Sequence, residues 1–217
     1  MAVESLQAEQ VRMTSIVDRL KMEYPDSKCS LNYKSPFQLL VATILSAQCT
    51  DKRVNQVTKG LFEKYPDPPG FINLSLEEIE REIYSTGFYK NKAKSIKGMV
   101  AVVVNEYGGI LPQTLDEMVK LPGVGRKTAN VVLGNINGIP SLVVDTHVTR
   151  ITNLLKFVNT KNAVKIEKNL EKITKKEDWT LFAHLLIDHG RAVCIANRPQ
   201  CHHCVIAEFC PSAKGVN

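Results

Sequence analysis

Leu121-Pro122-Gly123-Val124-Gly125-Arg126-Lys127-Thr128-Ala129 is the stretch on which the fold turns. It lies between two helical signals. Upstream, Thr114-Leu115-Asp116-Glu117 has the form of a capping box, a hydroxyl residue followed by a carboxylate one turn later. Downstream, residues 126–136 read as a second helix. Pro122 stops the first helix, and the closely spaced Gly123 and Gly125 permit a tight turn with close backbone approach. The free amides from Gly123 to Arg126 point out at the start of the next helix, which makes an anion site suited to a nucleic-acid phosphate. Val124 is expected to plug the apolar space between the helices. A nucleotide-binding P-loop is excluded, because only valine separates the glycines and the segment follows a helix instead of a strand. A plain αα-hairpin turn explains Gly123 but leaves the rest of the pattern as coincidence.

Working outward, the remaining chain reads as nearly all helix. Ser35-Pro36-Phe37-Gln38 offers an N-cap serine, proline at the first helical position and a capping-box glutamine. Phe37, Leu40, Val41, Ile44 and Leu45 then form a stripe at helical spacing. Ser75-Leu76-Glu77-Glu78 opens another helix, and Ala93, Ile96, Val100, Val103 and Tyr107 mark a longer one that stops at Gly108-Gly109. Val148, Ile151, Leu155 and Val158 mark a helix capped by Asp145. Further helices are expected over 51–64, 161–173 and 177–189. The run Val100, Val102, Val103, Val104 also suits a strand, but strand candidates to pair with it are missing, so helix is preferred.

The 217 residues suit one or two domains and bury enough surface, roughly 70% by size, to need no disulfide staple. A charge of +6, from 28 Lys and Arg against 22 Asp and Glu, favours a polyanionic partner. No apolar core of a secretory signal stands among residues 1–15, and the longest unbroken apolar stretch, Met99 to Val104, is far too short to cross a bilayer. Cys29 and Cys49 are isolated, whereas Cys194, Cys201, Cys204 and Cys210 crowd together. An intracellular protein with one local sulfur-ligated site, zinc or iron–sulfur, is the expected reading. The lysines of 90–97 and 156–176 read as solvated faces that add salt-dependent affinity if they meet DNA.

Several separated motifs now converge. The hairpin, Val143-Val144-Asp145-Thr146-His147, Leu45-Ser46-Ala47-Gln48, the Gly87-Phe88-Tyr89 turn and the terminal cysteines stand in one order between Pro36 and Cys210. In that order the chain resembles the helix–hairpin–helix DNA glycosylases with a C-terminal iron–sulfur cluster, in their endonuclease III branch. The resemblance implies a two-lobed, all-α fold: a central helical-barrel domain over 29–139, and a discontinuous iron–sulfur domain from 1–28 plus 140–217, with DNA across the cleft. It implies Lys127 as the nucleophile, Asp145 as the essential carboxylate, and phosphate binding by Gly123, Val124, Gly125 and Arg126. Gln48 would fill the space of a flipped nucleotide, and Phe88 would act as a second wedge where the better-known bacterial form carries leucine. The four clustered cysteines would hold one [4Fe-4S] cluster. His147 is expected to orient the carboxylate, bond locally or touch phosphate; His184 and His189 are expected to pack or cap.

The expected function is therefore a bifunctional glycosylase and abasic-site lyase. It excises oxidised pyrimidines from duplex DNA and cleaves the strand by β-elimination, as a cytoplasmic monomer on chromosomal DNA. A monofunctional mismatch glycosylase is disfavoured by Lys127 and by the lack of a further recognition domain after Cys210. A noncatalytic DNA-binding iron–sulfur protein would leave Lys127 and Asp145 unused.

Overall fold

Helix α2 (Pro36–Ser46) shows why these residues build a core. Ser35 accepts the Gln38 amide through its hydroxyl (3.2 Å), while the Gln38 side chain reaches past the cap to the Lys34 amide (2.9 Å) and to the Pro66 carbonyl (3.1 Å). The expected stripe is buried, and so are Leu39 and Ala42 on the other side. A helix apolar all round is an interior helix, and each fully buried Leu or Ile contributes roughly 1.5–3 kcal/mol. α2 is surrounded accordingly, packing against α3 (Asp51–Lys64), α6 (Tyr89–Tyr107) and α8 (Arg126–Ile136).

The computed structural model describes residues 4–136 and 138–215. It is all-α and divides into two compact units, Cys29–Ile139 and the pair of segments Met1–Lys28 and Pro140–Asn217. The first unit adds α4 (Pro68–Ile72), α5 (Leu76–Ile83) and α7 (Leu115–Met118). Ser75 and Glu78 complete a reciprocal capping box at α5. The valine run is helical, with Val100 and Val103 buried one turn apart on the core side of α6. Gly108, at φ +61, ends that helix in the left-handed conformation.

In the second unit α1 (Leu6–Glu23) packs against α10 (Ala163–Ile173) and α11 (Trp179–Ala192), and α9 (Thr146–Leu154) packs against α11. Named polar ties explain why a segment from the start of the chain belongs here. The Arg12 guanidinium lies 3.9 Å over the Phe157 ring and donates to the carbonyls of Leu155 (2.8 Å) and Phe209 (3.2 Å). Lys21 pairs with Asp178, Ser27 donates to Asp188, and Tyr24 meets His189. Among the described residues, no helix is long and apolar enough to cross a membrane.

Candidate active site

The turn between α7 and α8 is built as its sequence requires. Thr114 accepts the Glu117 amide and donates to its carboxylate. Gly123 has φ +73, and a Cβ there would collide with the side chain of Ser95 on α6. Both the backbone angle and the close approach demand glycine. Pro122 lies against Gly98, Leu121 and Val124 are buried, and Gly125 faces open space. Arg126 and Lys127 are exposed in the first turn of α8. The Val124 amide, expected to be free for phosphate, instead donates to the Leu121 carbonyl at 3.1 Å, because Val124 turns into the apolar anchor; Gly123, Gly125 and the basic pair remain exposed, the division of labour that phosphate binding needs.

Gln48 and Phe88 share a feature that sequence reading did not find. Both hold positive φ, +53 and +49, and among the described residues Lys156 alone joins them outside glycine. Such angles cost a non-glycine residue about 1–2 kcal/mol and persist where neighbouring structure imposes them. Both side chains are exposed, Phe88 at 64%. Gln48 follows α2, and Phe88 caps α6.

The lysines of α6 correct the expectation of a solvated face. Lys90 and Lys94 are exposed, but Lys92 is buried, its ammonium donating to the carbonyls of Leu45 (2.8 Å) and Thr86 (2.8 Å). Lys97 is half-buried and donates to the carbonyls of Ile72 (3.0 Å) and Leu74. These carbonyls stand at or just beyond helix C-termini, where acceptors lack intrahelical partners and a cation complements the dipole.

In the other unit Asp145 is the N-cap of α9, its Oδ1 accepting the Val148 amide at 2.8 Å. That bond occupies one carboxylate oxygen; Oδ2 takes no part in the cap. His147 sits two residues on, with Nδ1 3.2 Å from Arg150 and its ring against Gly190. Burial pushes its pKa below the ordinary imidazole range, assisted by Arg150 and Arg191 and opposed by Asp145. His189 is fully buried beside Tyr24, and His184 is half-buried.

Cys194, Cys201, Cys204 and Cys210 are free thiols lining one cavity of about 250 Å3. Arg150 reaches into this loop, donating to the Cys194 carbonyl at 2.6 Å with its sulfur at 3.6 Å. Sequence reading missed Arg150 as well as Lys92. Among the described residues, no group of three or more His, Cys, Asp or Glu side chains is arranged to hold a single metal ion.

Residues 41–176 match the family described as HhH-GPD superfamily base excision DNA repair protein. Endonuclease III of Synechocystis sp. is 47% identical over 213 residues, covering 98% of this chain and 97% of the relative. A solved non-covalent endonuclease III–DNA complex matches with a TM-score of 0.88 at 44% identity, covering 94% of this chain and 96% of that one. A trapped endonuclease III–DNA covalent intermediate, an estranged-adenine complex, gives the same score and identity over 94% and 97%. With its hairpin, its capped aspartate and this likeness along nearly the whole length, the chain belongs to the endonuclease III family of helix–hairpin–helix base-excision repair proteins.

Proposed function

We propose that this protein excises oxidised pyrimidines from duplex DNA and then cleaves the abasic strand, with Lys127 as nucleophile and Asp145 as the carboxylate that supports it. It is an enzyme of the DNA glycosylase and abasic-site lyase class. The observation that carries the residue assignment is the exposed Lys127 one residue beyond a hairpin whose exposed Gly123 and Gly125 and whose Arg126 suit a DNA phosphate. A phosphate held there fixes the register of the neighbouring sugar, and such positioning is a large part of any displacement at its C1′.

The chemistry then follows from the groups present. The neutral Lys127 amine attacks C1′, the glycosidic bond breaks, and its electron pair leaves with the base, which takes up a proton. The Asp145 carboxylate stabilises the positive character that develops on the sugar. The attached nitrogen gives up a proton, its lone pair forms the C1′=N bond as the C1′–O4′ bond breaks, and O4′ takes up a proton, leaving a protonated imine at C1′. The imine acidifies the C2′ proton; its removal expels the 3′ phosphate by β-elimination, and water then releases Lys127. Gln48 and Phe88 occupy the space vacated by the extruded nucleotide, which the enzyme must take out of the stack to reach the sugar. A cytoplasmic enzyme acting on chromosomal DNA fits this substrate.

Cys194, Cys201, Cys204 and Cys210 would hold one [4Fe-4S] cluster. Four thiols line one cavity of about 250 Å3, a sulfur-only ligand set that suits either zinc or an iron–sulfur cluster, and the likeness to endonuclease III supports the cluster. When bound, the cluster would tie the terminal loop together through these four thiolates. Anaerobically purified protein is expected to contain about four iron and four sulfide per chain, and Cys201→Ser to lower both. Stoichiometric zinc without sulfide would reject the cluster.

The substrate test compares free-base release and strand cleavage on duplexes containing thymine glycol, dihydrouracil, a preformed abasic site or a G·T mismatch. Release and cleavage on the two oxidised pyrimidines, with little on G·T, is the expected pattern. Release from G·T alone, or base release without cleavage, would overturn the assignment.

A further inference from the structure

We propose that Lys92 is a positioning residue that locks the turns carrying Gln48 and Phe88 into one arrangement, so that both side chains enter the duplex as a unit. The inference rests on the reading of those two residues as wedges. Its basis is a single buried ammonium bonded to two separate segments. One acceptor, the Leu45 carbonyl, lies in the last turn of α2, shortly before Gln48; the other, the Thr86 carbonyl, closes the short 3-10 turn Tyr84–Thr86, shortly before Phe88. The Lys92 backbone amide also donates to the Phe88 carbonyl at 3.1 Å. That backbone bond is the first helical bond of α6 and does not depend on the side chain; the clamp is the ammonium, which touches the framework of both turns.

The two positive φ angles give this clamp something to do. Outside glycine, Gln48 and Phe88 are two of only three described residues in the left-handed region. Left alone, each turn would relax toward ordinary angles and swing its exposed side chain away. Holding both turns through one cation couples their conformations. Burial lowers the pKa of the Lys92 amine, with Cys49 acting in the opposite sense, and the two carbonyls favour the charged form. Simple filling of the core would be served as well by methionine, which has neither the charge nor the donors.

A mutant cycle tests the coupling, with single-turnover excision from a dihydrouracil duplex as one readout. The second is the fluorescence of 2-aminopurine placed opposite the lesion, which reports unstacking of the orphaned base. Lys92→Met is expected to slow excision about tenfold and to suppress the fluorescence rise, while DNA affinity changes by less than about threefold. In a Gln48→Ala/Phe88→Ala background, the same Lys92→Met change should cost less than about twofold, because the groups it positions are gone. Should Lys92→Met fail to fold, Lys92→Gln, which keeps a donor for one carbonyl, carries the cycle with effects of about threefold. An undiminished Lys92 effect in the double-alanine background would overturn the proposal in favour of general packing. So would normal excision by folded Lys92→Met alongside a slow double-alanine variant, which leaves the wedge reading intact. Normal excision and fluorescence in the double-alanine variant would instead remove the wedge reading, and this proposal with it.

Discussion

Lys127→Gln is expected to slow release of an intact oxidised base by about a thousandfold or more and to abolish the covalent complex that borohydride traps with wild type. The trap works because the reductant converts the transient imine to a stable amine, so its loss reports the nucleophile itself. Folding should be nearly untouched. Lys127 is exposed, and surface substitutions of this kind generally stay within about 0.5 kcal/mol. Removing a cation from the first turn of α8 also relieves an unfavourable interaction with the positive end of the helix dipole. Duplex binding should persist, since Gly123, Gly125 and Arg126, to which phosphate binding is assigned in the proposal, are unchanged. The substrate must carry an intact damaged base, because other amines can react with a preformed abasic site, and the modified residue must be mapped. If wild type releases the base with no Lys127-linked intermediate, the monofunctional mechanism replaces this one. Binding without release across the whole substrate panel would make the protein a noncatalytic DNA binder.

For Asp145 the structure shows the cap, and the proposed catalytic role can be tested apart from it. The carboxylate caps α9 through Oδ1, and asparagine retains an oxygen able to accept the same Val148 amide. Asp145→Asn should therefore lose about 0.3–1 kcal/mol at most, the charge–dipole part of the cap. Base release should fall about a hundredfold or more if, as proposed, this charge stabilises the developing cation. Asp145→Ala should show a similar loss of release with a further stability cost of about 0.5–2 kcal/mol from the missing cap. Thermal unfolding and single-turnover release, measured side by side, resolve the two effects. Near-normal release by folded Asp145→Asn would leave Asp145 a cap and nothing more.

Local chemistry explains why so much was legible in advance. Proline and glycine at 122–125, hydroxyl caps at Ser35, Ser75 and Thr114, and the Asp145 cap act within one or two turns of chain, so their consequences are written beside them. Helical periodicity placed α3 and α8, and α10 and α11 to within a few residues at their ends. The family motifs supplied what periodicity does not carry, above all the roles expected of Lys127, Gln48 and the four cysteines.

Tertiary structure decided the matters that depend on partners distant in the chain. A lysine in a basic run looks solvated until its neighbours in space are known. Lys92 and Lys97 turn inward because α2, α4 and the 3-10 turn bring uncapped carbonyls to the buried side of α6. Arg12 and Arg150 likewise find carbonyl acceptors contributed by remote segments. The left-handed angles at Gln48 and Phe88 are also nonlocal in origin, since neither side chain favours them and packing must impose them. Sequence by itself determined most of the helices and the motifs, but not every end, since the apolar stripe of α9 runs on to Val158 past the helix end at Leu154; only the folded chain decided where each cation finds its acceptor, because that energy depends on separation in space and burial, to which sequence distance is blind.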